Sequence, residues 1–361
     1  MENKIGILTF QNTTNYGAVL QTYALQHFFQ KSSGMQVEVI NYLNKAVTER
    51  ESPVNFSSIR GLKQLIKFLL NHRPEVRKTK NVKLFCQHHI KYSRQVYLED
   101  SNPDFSEYYA ILSGSDQIWN LFLTNGDTKY MLDGYKGKGY SYAASIGQEN
   151  ILTPKALNAI RNLRMISVRE TIAKNELHQL NIDAELVCDP TFLLSKEEWY
   201  HLLPTTTKVR GKYILLYQMT SSENIYKFAK ELAKKKGATL INANPISLQI
   251  FKSKCIRDAS PLEWLSLIKN AECVVTNSFH GLAFSINFEK EFYTEIRANE
   301  AKNSSRITSL LNILGLDDRN IASPSFEFGS IDYASISPKL NDFRDKSFDF
   351  LDRIIKDINN D

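Results

Sequence analysis

The stretch 272-ECVVTNSFHGLAFSINF-288 places one of the chain's seven histidines between two apolar runs. CVVT reads as a buried strand and LAFSINF as a helix. Asn277 and Ser278 are helix-capping types, so His280 falls in the first helical turn, with Gly281 leaving space beside it. A helix start attracts anions. Its dipole alone lowers a histidine pKa, and a bound phosphate raises it. A histidine between those effects can pass a proton near neutral pH. The same spacing also suits a histidine satisfied inside a domain interface, with no chemistry at all.

Other polar residues fall at similar junctions. After the first strand come Asn12, Thr13, Thr14, Asn15, Tyr16 and Gly17, then a helix. Such a turn aims backbone N–H groups at an anion, or is simply a capped helix behind a tight glycine turn. It contains neither GxxxxGK[ST] nor GxGxxG. In 113-SGSDQIWN-120, Gly114 and Ser115 leave room for a close approach, and Asp116 can accept hydrogen bonds from a sugar or brace its own loop. SYAASIG (141–147) ends in small residues. SVRE (167–170) ends in Arg169 and Glu170. An arginine there can hold a carboxylate or phosphate through two parallel hydrogen bonds, or pair with an acid such as Glu170. Ser304, Ser305 and Arg306 precede a later helix, and Lys290 and Arg297 are further cationic candidates.

The elements that carry these residues alternate. KIGILTF (4–10), AVLQTYALQHFFQ (18–30) and QVEVINY (36–42) form a βαβ unit, which favours a parallel sheet. The pattern restarts after Asp189-Pro190 with the strand KYILLYQM (212–219) and the amphipathic helix SENIYKFAKELAKKKG (222–237). In SPLEWLSLIKNA (260–271), Ser260 reads as an N-cap and Pro261 as the first helical residue. Two α/β halves, 1–192 and 193–361, therefore meet near residue 192. The last stretch, 339–358, reads as a terminal helix able to pack on either half. In open α/β sheets, ligands bind outside the carboxyl ends of strands, where these polar residues lie.

Composition narrows the class. At 361 residues, 42% hydrophobic and 23% charged, the chain reads as a soluble globular protein of two domains or one cleft α/β unit. MENKIGILTF has no signal-peptide pattern, and the four cysteines form no CxxC pair, which points to a cytoplasmic protein with no metal site. The net charge of +6 is uneven: residues 60–94 hold ten Lys/Arg against one acid, Glu75. That segment reads as a solvated helix face or as a basic amphipathic element touching an anionic membrane at its inner face, with nucleic acid the least supported partner.

Together, GILTFQNTTNYGAVLQTYAL, GSDQIWN, SYAASIG, ISVRE, DPTFLL, SPLEWLSLIKNAECVVTNSFHGLAFSI and RITSLLNILGL resemble, in order, the polysaccharide pyruvyl transferases. The resemblance implies a GT-B-like α/β fold, with two Rossmann-like domains whose parallel sheets face a central cleft. It implies transfer of pyruvate from phosphoenolpyruvate to a sugar as a ketal, without a further cofactor. His280 and Arg169 are then the catalytic candidates. The donor side takes Arg306, Asn277, Ser278 and Gly281; the acceptor side takes Thr13, Asn15, Tyr16, Gly17, Ser115 and Asp116. The implied partner is a sugar acceptor, free or lipid-linked, in a surface-polysaccharide or cell-wall precursor. A GT-B glycosyltransferase using a nucleotide sugar, and a non-catalytic carbohydrate-binding protein of the same fold, are the competing readings.

Overall fold

The computed structural model describes residues 4–51, 62–205, 209–245, 249, 253–297 and 304–360. Residues 60 and 61 of the basic segment, and the side chains of Lys63 and Lys67, lie outside that set. In the first half, β1 (Ile5–Leu8), α1 (Tyr16–Ser33), β2 (Val37–Leu43), α2 (Lys45–Glu51), α3 (Leu62–His89), β3 (Tyr92–Leu98), β4 (Ala110–Ser113) and β5 (Lys138–Ser141) follow one another. Then come α4 (Pro154–Arg161), β6 (Ser167–Val168), α5 (Thr171–Gln179) and β7 (Glu185–Leu186), and α6 (Lys196–Leu202) opens the second half. The second half holds β8 (Tyr213–Tyr217), α7 (Glu223–Lys235), β9 (Thr239–Asn242), β10 (Lys254–Cys255), α8 (Pro261–Asn270) and β11 (Cys273–Thr276). It ends with α9 (Phe279–Asn287), β12 (Phe292–Thr294), α10 (Ser305–Leu314) and α11 (Tyr333–Asn359).

The strands build two parallel five-stranded sheets, ordered β3-β2-β1-β4-β5 and β10-β9-β8-β11-β12, and a short β6-β7 pair. Each sheet has the same order, and each reverses direction of growth beside its first strand. β1, β4, β8 and β11 are buried at every position, as strands covered by helices on both faces must be. Their apolar runs IGIL, AILS, YILLY and CVVT follow from that. The switch points, between β1 and β4 and between β8 and β11, are where ligands bind in such sheets. This is the GT-B-like arrangement of two Rossmann-like sheets.

Several contacts join the halves. The Tyr16 ring stacks on Trp264 at 5.4 Å, and its hydroxyl donates to the Ala259 carbonyl at 2.8 Å. The basic helix α3 reaches across as well. Arg77 pairs with Asp258 at 2.7 Å, Asn81 donates to the Asp258 carbonyl, and Lys78 sits 4.5 Å above the Tyr16 ring. Part of the basic face is therefore an interdomain strap rather than a free surface. Lys78 points inward and is not available to a membrane, whereas Lys80 and Lys83 stay exposed. The terminal helix α11 touches both halves: Tyr333 donates to the Lys290 carbonyl, Arg344 to Asn287, and Lys138 to the Asp357 carbonyl. Among the described residues, no helix is long and apolar enough to cross a membrane.

These contacts differ in worth. Tyr16 is 2% exposed, so Tyr16→Ala leaves an aromatic-sized gap and should cost about 3–5 kcal/mol. Tyr16→Phe removes only the hydroxyl and should cost about 1 kcal/mol. The Arg77 side chain is 61% exposed, so Arg77→Ala should cost under about 1 kcal/mol. Urea denaturation of the three variants checks the order; equal losses would contradict it.

Candidate active site

The histidine is positioned from both halves. Thr276, the last residue of β11, donates to the Tyr217 carbonyl at 2.6 Å and accepts from the Ser278 amide. Ser278 caps α9 by accepting from the Gly281 amide at 3.3 Å. Asn277 joins the neighbouring loop: it accepts from the Met219 amide and donates to the Thr220 carbonyl. His280 then projects from the first turn toward α1, where a Cβ on Gly17 would collide with the imidazole ring. Asn15 caps α1 through the amides of Gly17 and Ala18, which fixes that approach.

Asp189 faces the other edge of the ring, its Oδ2 lying 3.6 Å from His280 Nε2. Oδ1 of the same carboxylate accepts from the Thr191 amide and hydroxyl, so its orientation is set by its own turn. Arg169 links it to the first sheet. Nη1 donates to Asp189 Oδ2 at 2.6 Å and Nη2 to Asp116 Oδ1 at 2.7 Å. Asp116 lies at φ +74°, a left-handed conformation, with Oδ1 also accepting from the Gln117 amide. The guanidinium of Arg169 is 4.7 Å from the centre of the Phe279 ring. Glu170 is spent on the adjacent turn, accepting from Ser145 Oγ and from the amides of Ile146 and Gly147.

A cavity of about 650 Å³ opens between the two switch points. Thr13, Asn15 and Asp116 line it from the first half; Asn277, Ser278, His280 and Arg306 line it from the second. Five expected site residues are placed elsewhere. The Arg169 side chain is 1% exposed, and both of its terminal nitrogens are taken by Asp116 and Asp189, while Nε has no hydrogen-bond partner; it does not line the cavity and positions the two carboxylates. Tyr16 is part of the interdomain core, Gly17 packs on His280, and Gly281 approaches Thr276. Ser115 is buried, donating to the Ala143 carbonyl. Neither Lys290 nor Arg297 lines the cavity. Asp189 was missed as a site residue. Its signal in the sequence is the Asp189-Pro190 pair that opens DPTFLL.

The charges are unequally satisfied. Burial opposes ionisation of Asp189, yet His280 and Arg169 outweigh it and hold the carboxyl well below the usual range. Burial likewise opposes Asp116, and Arg169, His280 and Arg306 bring it down. Arg306 is the exception. Burial, then repulsion from Arg169, push it down to about 10, despite Asp116 at 3.8 Å. Its Nε is buried without a hydrogen-bond partner. A bound anion would supply what Arg306 lacks. Among the described residues, no cluster of three His, Cys, Asp or Glu side chains is placed to hold a metal ion.

The model of one family, polysaccharide pyruvyl transferase, matches residues 15–294, well over half of the chain. The chain belongs to the polysaccharide pyruvyl transferase family. The match starts at Asn15 and takes in Asp116, Arg169, Asp189 and His280, while Arg306 lies beyond its end. No curated protein sequence matches this pyruvyl transferase family member. Among solved structures it is similar to UDP-GlcNAc 2-epimerase from Methanocaldococcus jannaschii, at 13% identity over 94% of this chain and 92% of that one, with a TM-score of 0.45. The Neisseria meningitidis UDP-GlcNAc 2-epimerase bound to UDP-GlcNAc gives 11% identity, coverage of 99% and 94%, and 0.45. E. coli heptosyltransferase WaaC with ADP gives 12% identity, 84% and 90%, and 0.40. Scores of this size carry no weight for substrate or reaction; the fold rests on the strand order above.

The two arginines should behave oppositely. Arg169→Gln leaves two buried carboxylates short of a cation and should cost about 3–5 kcal/mol. Arg306→Gln removes a cation that burial disfavours, so the ligand-free protein should be at least as stable as wild type. The pH dependence follows from the sign of the shifts. Carboxyls depressed in the folded state contribute stability above their unfolded pKa, near 4, and lose it as pH falls below that. Wild type should therefore weaken below about pH 4, and Asp189→Asn should flatten that slope. Melting curves from pH 2 to 8 check both; a destabilised Arg306→Gln would contradict the charge assignment.

Proposed function

We propose that the protein transfers pyruvate from phosphoenolpyruvate to two hydroxyls of a sugar in a surface-polysaccharide or cell-wall precursor, forming a ketal and releasing phosphate. The observation that carries this reading is Arg306: an underpaired cation beside His280, in the cleft of a chain that belongs to the pyruvyl transferase family. A donor with a carboxylate and a phosphate needs fixed cations and N–H groups. Ser278 Oγ takes the Gly281 amide, which leaves the amides of Phe279 and His280 at the start of α9 for a ligand oxygen. Arg306 supplies the charge.

The chemistry then runs as a proton-coupled addition. The methylene carbon of phosphoenolpyruvate gains a proton, and its central carbon becomes cation-like. One sugar hydroxyl adds there, the C–O bond to phosphate breaks, and the second hydroxyl closes the ring. Of the two hydroxyl protons, one replaces the proton taken up by the methyl group and the other leaves with phosphate. His280 is the proton carrier. Asp189 faces Nε2, while Nδ1 lies against Gly17 and has no hydrogen bond among the described residues. Asp116 is a poor base, because its carboxyl is depressed. Its Oδ2, which has no protein partner among the described residues, instead accepts a hydrogen bond from the sugar and aims the hydroxyl.

Phosphate release from phosphoenolpyruvate, measured with a panel of free and lipid-linked oligosaccharides, tests the reading. Release should depend on an acceptor. His280→Ala should lower it by about 10²–10⁴-fold, and Arg306→Gln should raise the KM for phosphoenolpyruvate. Wild-type turnover in His280→Ala would refute the role of His280. Thermal protection by UDP- or GDP-sugars alone would replace pyruvyl transfer with glycosyl transfer.

A further inference from the structure

A second cavity, of about 370 Å³, adjoins the first, and the two share Thr13 and Glu51 as wall residues. None of His280, Asp116 and Arg306 lines it. It lies among the loop after β1, the end of β2, and the helices α2 and α3. The ridge between the cavities is held by Glu51, whose Oε2 accepts from Thr13 Oγ1 and the Thr14 amide, each at 2.9 Å.

The wall chemistry differs from that of the donor site. Asn12, Asn41 and Gln87 present amides and Thr79 a hydroxyl, beside the apolar surfaces of Val82 and Tyr92. Among the described residues, the side chains of Asn12, Thr79 and Gln87 hydrogen-bond to nothing. Asn41 accepts from Gln11 through Oδ1, and among the described residues its Nδ2 has no partner. Amides and hydroxyls donate and accept, as sugar hydroxyls do. Among the described lining residues, one ammonium, Lys83, stands against one carboxylate, Glu51, so these residues offer no surplus charge for a second anion. The size falls in the range of small-ligand pockets, roughly 300–1,000 Å³.

We propose that this cavity is a second sugar subsite. It holds the uncharged, polyhydroxylated unit next to the one that receives pyruvate, so the acceptor is recognised as an oligosaccharide of two or more units. The inference rests on the acceptor reading given above.

Isothermal titration tests it directly, with galactose, mannose, N-acetylglucosamine and the matching homodisaccharides as probes, with and without phosphoenolpyruvate. Wild type is compared with Thr79→Trp, which fills the cavity, and Asn12→Ala, which removes one exposed loop amide. At least one disaccharide should bind about tenfold more tightly than its monosaccharide. Thr79→Trp should abolish that advantage and Asn12→Ala should reduce it, with monosaccharide binding unchanged. The melting shift given by phosphoenolpyruvate reports that each variant is folded. The subsite is overturned if no disaccharide outbinds its monosaccharide, or if the advantage survives in Thr79→Trp. A wild type that phosphoenolpyruvate fails to stabilise counts instead against the donor reading, and the comparison of sugars still decides the subsite.

Discussion

The site depends on one buried guanidinium. Arg169 bridges Asp116, in the loop after β4, and Asp189, at the turn that leads into the second half. Burying three charges is expensive, and apolar residues could fill the same volume as stably. What the ion pairs supply is position. Each carboxylate that Arg169 fixes faces a second group: Asp189 faces His280, and Asp116 faces Arg306. A single side chain thereby sets the spacing of the two residues that address the cleft.

That spacing also needs the two sheets to hold still. Their switch points meet only because the halves are locked by Tyr16 against Trp264, by α3 against Asp258 and by α11 across both. Gly17 is a point of close approach, since any side chain there would displace the His280 ring. Stability and chemistry share this interface. Residues of the NTTNYG turn that were expected to touch ligand divide into Thr13 and Asn15 on the cavity and Tyr16 and Gly17 beneath it.

Local structure was legible where local physics decides it. Ser260 and Pro261 start α8 as their types require, and the Ser260 cap is completed by Glu263. Asn277 and Ser278 announced the strand-to-helix junction and its histidine. Partners distant in sequence were not legible. Nothing in SVRE tells that Arg169 meets Asp116 and Asp189 rather than a ligand, because those contacts span 53 and 20 residues. The charge run in 60–94 could not say that Lys78 turns inward over an aromatic ring. Helix periodicity in 339–358 gave no preference between halves, and α11 packs on both.

A crystal structure with phosphoenolpyruvate bound tests the account most directly. The account predicts the ligand in the cleft, an anionic group on Arg306, His280 beside the enol carbon, and Arg169 still paired with Asp116 and Asp189. A ligand held by Arg169 with those ion pairs broken, or one bound outside the cleft between the two sheets, would contradict it.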